Sequence, residues 1–288
     1  MKTSPTLTRN ALGVFPLNFR STLASVAVVA LCGAAPALAS PLLGSALASF
    51  AVLGASGVAN VPTSTIGGNL GSAPSASAGG GYVFTAGSLQ ADTTLAQQAQ
   101  LDLDAAILAI NGMGPGLTIG ADLTGTIGPG TYTVPAGITN LSGALILDGG
   151  GSSTAQWYFL FPSTFITDST SSVSVVNVGD GAGVGLYWSV GSAATLNGNS
   201  FAGNVLAHDL ISSDGDLTLS CGRLLSAETQ VTLIHDTISL GCVGFENSGG
   251  FDQGADIGSG GQSVPEPATL ALFGLGLAGM VLARRQRN

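Results

Sequence analysis

Two stretches nineteen residues apart decide the fold: Gly203-Asn204-Val205-Leu206-Ala207 and Gly222-Arg223-Leu224-Leu225-Ser226. Each begins with a glycine, continues with a polar residue and then becomes apolar, and Gly241 lies a further nineteen residues along. A period near twenty residues is typical of one coil of a β-helix, in which every coil stacks on the next.

Working outward from this repeat, the chain after Pro115 consists of short apolar runs separated by Gly, Asn or Asp. Such regular spacing fits a sandwich, a barrel or a solenoid, and the repeat favours the solenoid. Two of these runs contain adjacent aromatic residues. Because successive side chains in a strand point to opposite faces, one of each pair is predicted to face the core and the other the surface. The predicted strands are Leu117–Ile119, Gly130–Val134, Ala144–Leu147, Gln156–Phe161, Val173–Val178, Gly185–Val190, Phe201–Leu206, Asp216–Leu219, Gln230–Ile234 and Thr237–Leu240, and the aromatic pairs are Trp157-Tyr158 and Tyr187-Trp188.

One segment, from about Leu89 to Asn111, has helical periodicity instead. Asp92 is a plausible N-cap, and Gly112 follows the last apolar residue. The helix would be about 30 Å long. A lone amphipathic helix needs an apolar surface to pack on, so the strands must provide a face of that length.

The N-terminal end has the features of a secretory signal peptide. Basic residues precede the apolar run Thr22–Ala35, and the small-x-small pattern Ala37-Leu38-Ala39 follows it. Residues 1–39 are therefore predicted to be removed, with the mature chain starting near Ser40. A buried N-terminal helix is the alternative.

At the C-terminal end, the motif Val264-Pro265-Glu266-Pro267 is followed by the apolar run Ala268–Ala283 and by three arginines within residues 284–288. This order resembles the PEP-CTERM sorting signal of Gram-negative bacteria. The resemblance implies processing by an exosortase, with the 268–283 helix anchoring the chain only transiently in the inner membrane. An ordinary C-terminal anchor is the alternative. Residues 244–263, rich in Gly, Ser and Asp, are predicted to be a flexible spacer.

Composition limits the partners of the remaining part, residues 40–243. Between residues 40 and 264, fifteen acidic residues face one Arg, so the formal charge is −14. Such a chain repels phosphate backbones, which excludes nucleic acid, and it lacks a basic patch for anionic lipid. Cys221 and Cys242 are predicted to form a disulfide in an exported compartment. Two cysteines without paired histidines are too few for a metal site, and no cofactor is expected.

A series of short motifs follows in a fixed order along the chain. These are Phe50-Ala51-Val52-Leu53, Gly67-Gly68-Asn69-Leu70-Gly71, Leu123-Thr124-Gly125, Pro129-Gly130-Thr131-Tyr132, Leu141–Asp148, Trp157–Phe161, Tyr187–Leu196 and Gly222–Ser226. Their order resembles the microbial ice-binding protein family over about residues 44–242. This resemblance implies a mainly β protein: a right-handed β-solenoid of roughly triangular section, with a single long α-helix packed along it. It also implies an exported, non-enzymatic protein whose flat face binds ice or ordered water.

The residues that would contact ice lie in turns and strands rich in Thr, Ser and Asn. The candidates are Thr167, Ser169, Thr170, Thr195, Asn197, Asn199, Ser212, Thr232 and Thr237. Asp168, Asp214, Asp216 and Asp236 depart from the family's pattern, because charge disturbs a water-ordering plane.

Three other hypotheses use the same region. The first is a structural or adhesive protein of the cell envelope or an exopolysaccharide matrix, because Ser, Thr and Asn can hydrogen-bond sugar hydroxyls. The second is a calcium site at Asp214 and Asp216. The third is an enzyme that uses the final aspartates with Arg223, His208 and His235, but an Asp-Gly-Asp sequence is more often a tight turn.

Overall fold

The computed structural model describes residues 41–245 and 248–254. The predicted signal peptide and the 268–283 segment lie outside this part. The described chain forms two helices, α1 (Gly44–Leu47) and α2 (Thr94–Gly112), and strands that pair with one another in parallel. The strands are β1 (Phe50–Gly54), β2 (Gly57–Val61), β3 (Ser64–Gly67), β4 (Asn69–Ser72), β5 (Tyr82–Ala86), β6 (Leu89–Ala91), β7 (Leu117–Thr118), β8 (Gly125–Ile127), β9 (Gly130–Thr133), β10 (Ala144–Asp148), β11 (Gln156–Phe161), β12 (Phe165–Ile166), β13 (Ser172–Val176), β14 (Gly185–Val190), β15 (Ala194–Leu196), β16 (Ser200–Ala207), β17 (Ile211–Ser213), β18 (Thr218–Ser226), β19 (Gln230–Ile234) and β20 (Thr237–Ser239).

The strands form three parallel ladders. Ladder A runs β7-β9-β11-β14-β16-β18-β1-β4-β6. Ladder B runs β8-β10-β13-β16-β18-β20-β3-β5. Ladder C runs β12-β15-β17-β19-β2. The chain visits ladders C, B and A in turn, so successive coils stack as the repeat predicts. The right hand of the coil and its triangular section stay predictions.

The long strands β16 and β18 belong to ladder B in their first half and to ladder A in their second. Their register shifts between Ala202 and Gly203, where the chain turns from one ladder to the other. Gly203 has φ +97°, and a Cβ on Gly222 would collide with the Gly203 backbone, so the bend needs both glycines. Asn204 pairs with Arg223 in the following residues, and the pairing continues to Ala207 and Ser226. The alignment of the repeat is thereby confirmed.

The coils do not stack in the order of the chain. Strands β1, β2 and β3, from the first coil, pair with β18, β19 and β20 of the last one. Helix α2 then takes the chain from β6, at one end of ladder A, to β7 at the other end. It packs against β1, β4, β6 and β14 of ladder A. Ladder A thus supplies the apolar face that the helix requires.

The predicted start of the helix at Leu89 is wrong. Residues 89–91 form β6 instead, because they pair with Leu70–Ser72 of β4. The N-cap is Thr93, whose Oγ1 accepts a hydrogen bond from the Ala96 N–H at 3.2 Å. Asp92 has φ +48° and lies in the turn before the cap.

Apolar residues fill two layers. The interior of the coils holds a stack of aromatic rings, in which Phe159 and Phe165 lie 4.5 and 5.4 Å from Trp188 between ring centroids. A second layer lies between ladder A and the helices and includes Tyr158, Tyr187, Leu206 and Leu225. The prediction that one of each aromatic pair faces the surface is wrong, since both tyrosines are buried beneath the helices.

The segment 248–254 packs on ladder A, where a flexible spacer was predicted. Phe251 is 2% exposed and Asp252 is 5% exposed, and Gln253 pairs with Pro41 in an antiparallel bridge. That part of the spacer prediction is wrong. Cys221 and Cys242 are joined by a disulfide. Within residues 41–245 and 248–254, no helix is both long and apolar enough to span a bilayer.

Candidate binding surface

Five hydroxyl side chains form a row across the outer side of ladder B. Consecutive strands place Ser172 beside Ser200, Ser200 beside Thr218, Thr218 beside Thr237 and Thr237 beside Thr65. Neighbouring strands lie about 4.8 Å apart, so the hydroxyls repeat at that interval. We call the outer side of ladder B the hydroxyl face.

A second row follows two residues further along each strand. It contains Ala202, Ser220 and Ser239 and ends at Gly67, and Ser174 follows Ser172 by two residues in β13. Both rows carry only small, uncharged side chains. The residues between the two rows point inward and are buried, as the pleat requires. These inward residues are Val173, Phe201, Leu219, Ile238 and Ile66.

The first-row hydroxyls are not used to hold the protein together. Ser200, Thr218 and Thr237 are exposed, while Ser172 and Thr65 are partly exposed. None of the five makes a side-chain hydrogen bond to another described residue. Their donors and acceptors are therefore available to water, on a backbone that parallel pairing fixes on both sides.

The predicted candidates are spread over several parts of the coil. Thr237 lies in the first row of the hydroxyl face. Thr195, Ser212 and Thr232 form a shorter row on ladder C, between Ile166 and Ala59. The others lie in the turns that lead from ladder C into ladder B: Ser169 and Thr170 before β13, and Asn197 and Asn199 before β16.

Thr167 cannot contact ice, because it is only 1% exposed. Its Oγ1 accepts hydrogen bonds from the backbone N–H groups of Asn197 at 2.8 Å and Gly198 at 3.3 Å. The hydroxyl satisfies a turn in the next coil, where water has no access. Thr167 is therefore a structural residue, and the prediction that it contacts ice is wrong.

Two of the four aspartates that depart from the family's pattern, Asp236 and Asp168, hold turns of the coil through hydrogen bonds. Asp236 is 1% exposed and accepts hydrogen bonds from the Ser213 hydroxyl at 2.5 Å and from the N–H groups of Leu217 at 3.0 Å and Ile234 at 2.9 Å. Burial raises its pKa, although these donors lower it in part. Hydrogen bonds from the Thr170 N–H and hydroxyl lower the pKa of Asp168.

Asp216 and His235 mark the rim of the hydroxyl face. Each precedes a first-row residue by two positions, and their φ angles are +57° and +54°. Asp and His are among the residues that tolerate this left-handed conformation best. Both are exposed, so charge at Asp216 limits the uncharged area on the side next to ladder C.

The charged residues proposed for catalysis are divided between different ladders. Arg223 lies on ladder A, Asp236 lies in the turn before β20, and His208 pairs with Asp209 at 3.1 Å on the exposed surface. Among the described residues, no group of three His, Cys, Asp or Glu side chains could hold a metal ion.

Of the five residues in the first row, only Thr237 is among the ice-contacting residues that the sequence predicts. A signal was available: Ser200, Thr218 and Thr237 each directly precede an apolar residue at the start of a strand in successive coils. Ser172 fits the same pattern one coil earlier. Thr65 could not be found in this way, since it belongs to a coil from the other end of the chain.

Comparison with known proteins agrees with this architecture. Residues 52–239 match the ice-binding-like family, and residues 263–287 match the PEP-CTERM protein-sorting motif, which indicates export to the cell envelope or surface. An ice-binding protein of Nostoc sp. (strain HG1) is 33% identical over 276 residues, covering 92% of this chain and 94% of the relative.

Two solved structures are similar as well. An ice-binding protein from an Antarctic biological consortium has a TM-score of 0.60 and 28% identity, covering 69% of this chain and 90% of its own. One from the Antarctic ascomycete Antarctomyces psychrotrophicus has a TM-score of 0.56 and 29% identity, covering 67% and 95%. The chain belongs to the ice-binding-like family and ends in a PEP-CTERM sorting motif.

Proposed function

We propose that the protein adsorbs to ice through the hydroxyl face. The observation that carries this proposal is the row of five uncommitted hydroxyls on consecutive parallel strands. The relatives named as ice-binding proteins support it independently.

The physical argument concerns the order of water at the surface. The strands repeat about every 4.8 Å, and alternate residues along each strand lie about 6.6 Å apart, so the two rows form a regular grid. Hydroxyl and methyl groups on this grid would hold water in positions compatible with a lattice plane. The fixed backbone keeps the entropic cost of adsorption low, because little has to become ordered on contact.

Ladder C is the less suitable face. Its row has only three hydroxyls, Thr195, Ser212 and Thr232, whereas the first row on ladder B has five before it ends at Ala144 and Val83. The Ser212 hydroxyl also donates to Thr195 Oγ1 at 3.5 Å, which leaves fewer free groups for water. Ladder A is excluded because helices cover it.

The test uses residues 40–263 as a purified protein. We expect thermal hysteresis and inhibition of ice recrystallisation at micromolar concentration. A folded preparation that shows neither activity would contradict the proposal. A fold check by circular dichroism, with a mainly β spectrum, excludes misfolding as the reason for inactivity.

The same proposal includes the route to the cell surface. Removal of residues 1–39 and processing by an exosortase at Pro265-Glu266-Pro267 would leave the coils outside the cytoplasm, after transient anchoring in the inner membrane. The sorting motif supports this route. Loss of surface display after Glu266→Ala would support it, and unchanged display and processing of that variant would contradict it.

A further inference from the structure

Arg223 is the only lysine or arginine among the described residues, and it is buried on the outer side of ladder A at 1% exposure. Its guanidinium is surrounded by oxygen atoms from distant parts of the chain. The acceptors are Asn204 Oδ1 at 2.7 Å, Ala48 O at 2.7 Å, Gly249 O at 2.9 Å, Gly250 O at 3.2 Å and Asp252 Oδ2 at 3.3 Å. Three of these five belong to the segment 248–254.

The backbone of this segment is held as well. The Leu186 N–H donates to Phe251 O at 3.0 Å, the Leu42 N–H donates to Asp252 O at 3.2 Å, and the Gln253 N–H donates to Val184 O at 3.2 Å. These bonds tie 248–254 to β14 and to the start of the described chain. We call residues 248–254, with Arg223, the clasp.

A covalent link lies next to the clasp. Cys242 is bonded to Cys221, which precedes Arg223 by two residues on β18. The Ser248 hydroxyl donates to Cys242 Sγ at 2.6 Å. The end of the described chain is therefore fastened to one strand at two points, one ionic and one covalent.

We propose that these two points form a mechanical junction, which stops a pull on the C-terminal end from unravelling the coils. The match to the sorting motif begins at residue 263, only nine residues after Gly254, so a protein held by that end is loaded here first. Tension acts on the C-terminal end when that end is held at the cell surface and the hydroxyl face is bound to ice. In this respect the inference rests on the proposed function.

The junction predicts how far the chain can be pulled. Peeling from Gly254 back to Cys242 frees twelve residues, or about 40 Å at roughly 3.3–3.6 Å per residue. The disulfide then stops the peeling. Without it, peeling would continue into β20 and β19, and the solenoid would open from its last coil.

Single-molecule force spectroscopy tests the proposal without ice, so its failure is distinguishable from failure of the proposed function. One handle is placed at exposed Ser174 on the hydroxyl face and the other at the C-terminal end of the full chain. We expect a first extension step of at most about 40 Å, since twelve residues are released and their folded end-to-end distance is subtracted. In the Cys221→Ser/Cys242→Ser variant, the first step should be clearly longer.

Asp252→Asn tests the ion pair between Arg223 and Asp252. Asp180→Asn is its control, at an exposed carboxylate outside the clasp. We expect the first rupture force to fall at least about twofold in Asp252→Asn, because a buried charge loses its partner, and to stay unchanged in the control. Equal forces in wild type and Asp252→Asn would overturn the proposal. A first wild-type step far beyond 40 Å would do so too, and that outcome does not depend on how any variant folds.

Discussion

Ladders A and B share the strands β16 and β18, but ladder A is covered by helices and ladder B is open to solvent. In β18, Leu225 projects from ladder A into the layer beneath the helices, whereas Thr218 and Ser220 project from ladder B into solvent. The backbone pairing with β16 is parallel in both halves. The outward side chains therefore decide which ladder is covered and which stays open.

The free energies of burying these side chains explain why ladder A is covered and ladder B is open. Burying a leucine side chain stabilises the fold by about 1.5–3 kcal/mol, so Leu206 and Leu225 favour a covering helix. Covering a row of hydroxyls without giving them partners would cost about 1–3 kcal/mol for each group. Among residues 41–245 and 248–254, no group hydrogen-bonds to the five first-row hydroxyls, so ladder B stays open to solvent.

The largest effect is expected where the covered ladder loses an apolar side chain. Leu225→Ala should lower the free energy of unfolding by about 2–5 kcal/mol, because it leaves a cavity beneath the helices. Urea denaturation measures this loss. Thr218→Ala, in the same strand on ladder B, is the control and should change stability by no more than about 0.5 kcal/mol. Equal losses in the two variants would contradict the comparison.

The turn that leads into ladder B depends on Asp236. In Asp236→Asn an amide nitrogen replaces one carboxylate oxygen, so a buried donor such as the Ile234 N–H loses its acceptor. We expect a loss of about 1–3 kcal/mol in the free energy of unfolding. An unchanged melting temperature would show that the hydrogen bonds of this carboxylate are dispensable.

The loss of unfolding free energy in Asp236→Asn should depend on pH. Burial raises the pKa of Asp236 above 3.8, so the folded state binds the proton more tightly than the unfolded chain. Its protonated form contributes stability that is fully present below pH 3.8 and is lost as pH rises through the raised folded pKa. The difference in free energy of unfolding between wild type and Asp236→Asn should therefore become smaller as pH rises from 3.8 through the raised folded pKa.

A smaller effect is expected at the start of the covering helix. Thr93→Ala removes the cap that accepts from the Ala96 N–H, which should cost about 1 kcal/mol. Thermal unfolding measures this cost. Asp92→Ala, at the residue that the sequence pattern indicates as the cap, should have a smaller effect. The reverse order would contradict the assignment of Thr93.

The coil repeat and most strands could be predicted because they depend on local alternation and spacing. The pairing of Asn204 with Arg223 follows directly from the nineteen-residue period. The position of Thr65 beside Thr237 could not be predicted in this way. It depends on the first coil stacking on the last, across 172 residues of chain.

At two places the local composition predicts the wrong environment for a residue or segment. Thr167 lies in a polar turn, but it is buried because its hydroxyl caps the N–H groups of the next coil. Residues 248–254 have the composition of a linker, but their carbonyl groups and Asp252 accept hydrogen bonds from the buried guanidinium of Arg223. In both cases the deciding partner is far away in the sequence.

The central claim is that the open ladder B, and neither of the other two ladders, contacts ice. The most direct test places the same bulky residue on ladders B and C and measures thermal hysteresis. Thr218→Tyr should lower the activity about tenfold, as a loss of ~1.4 kcal/mol in adsorption free energy would do, while Thr232→Tyr should leave it nearly unchanged. Loss of activity in Thr232→Tyr with full activity in Thr218→Tyr would contradict the account.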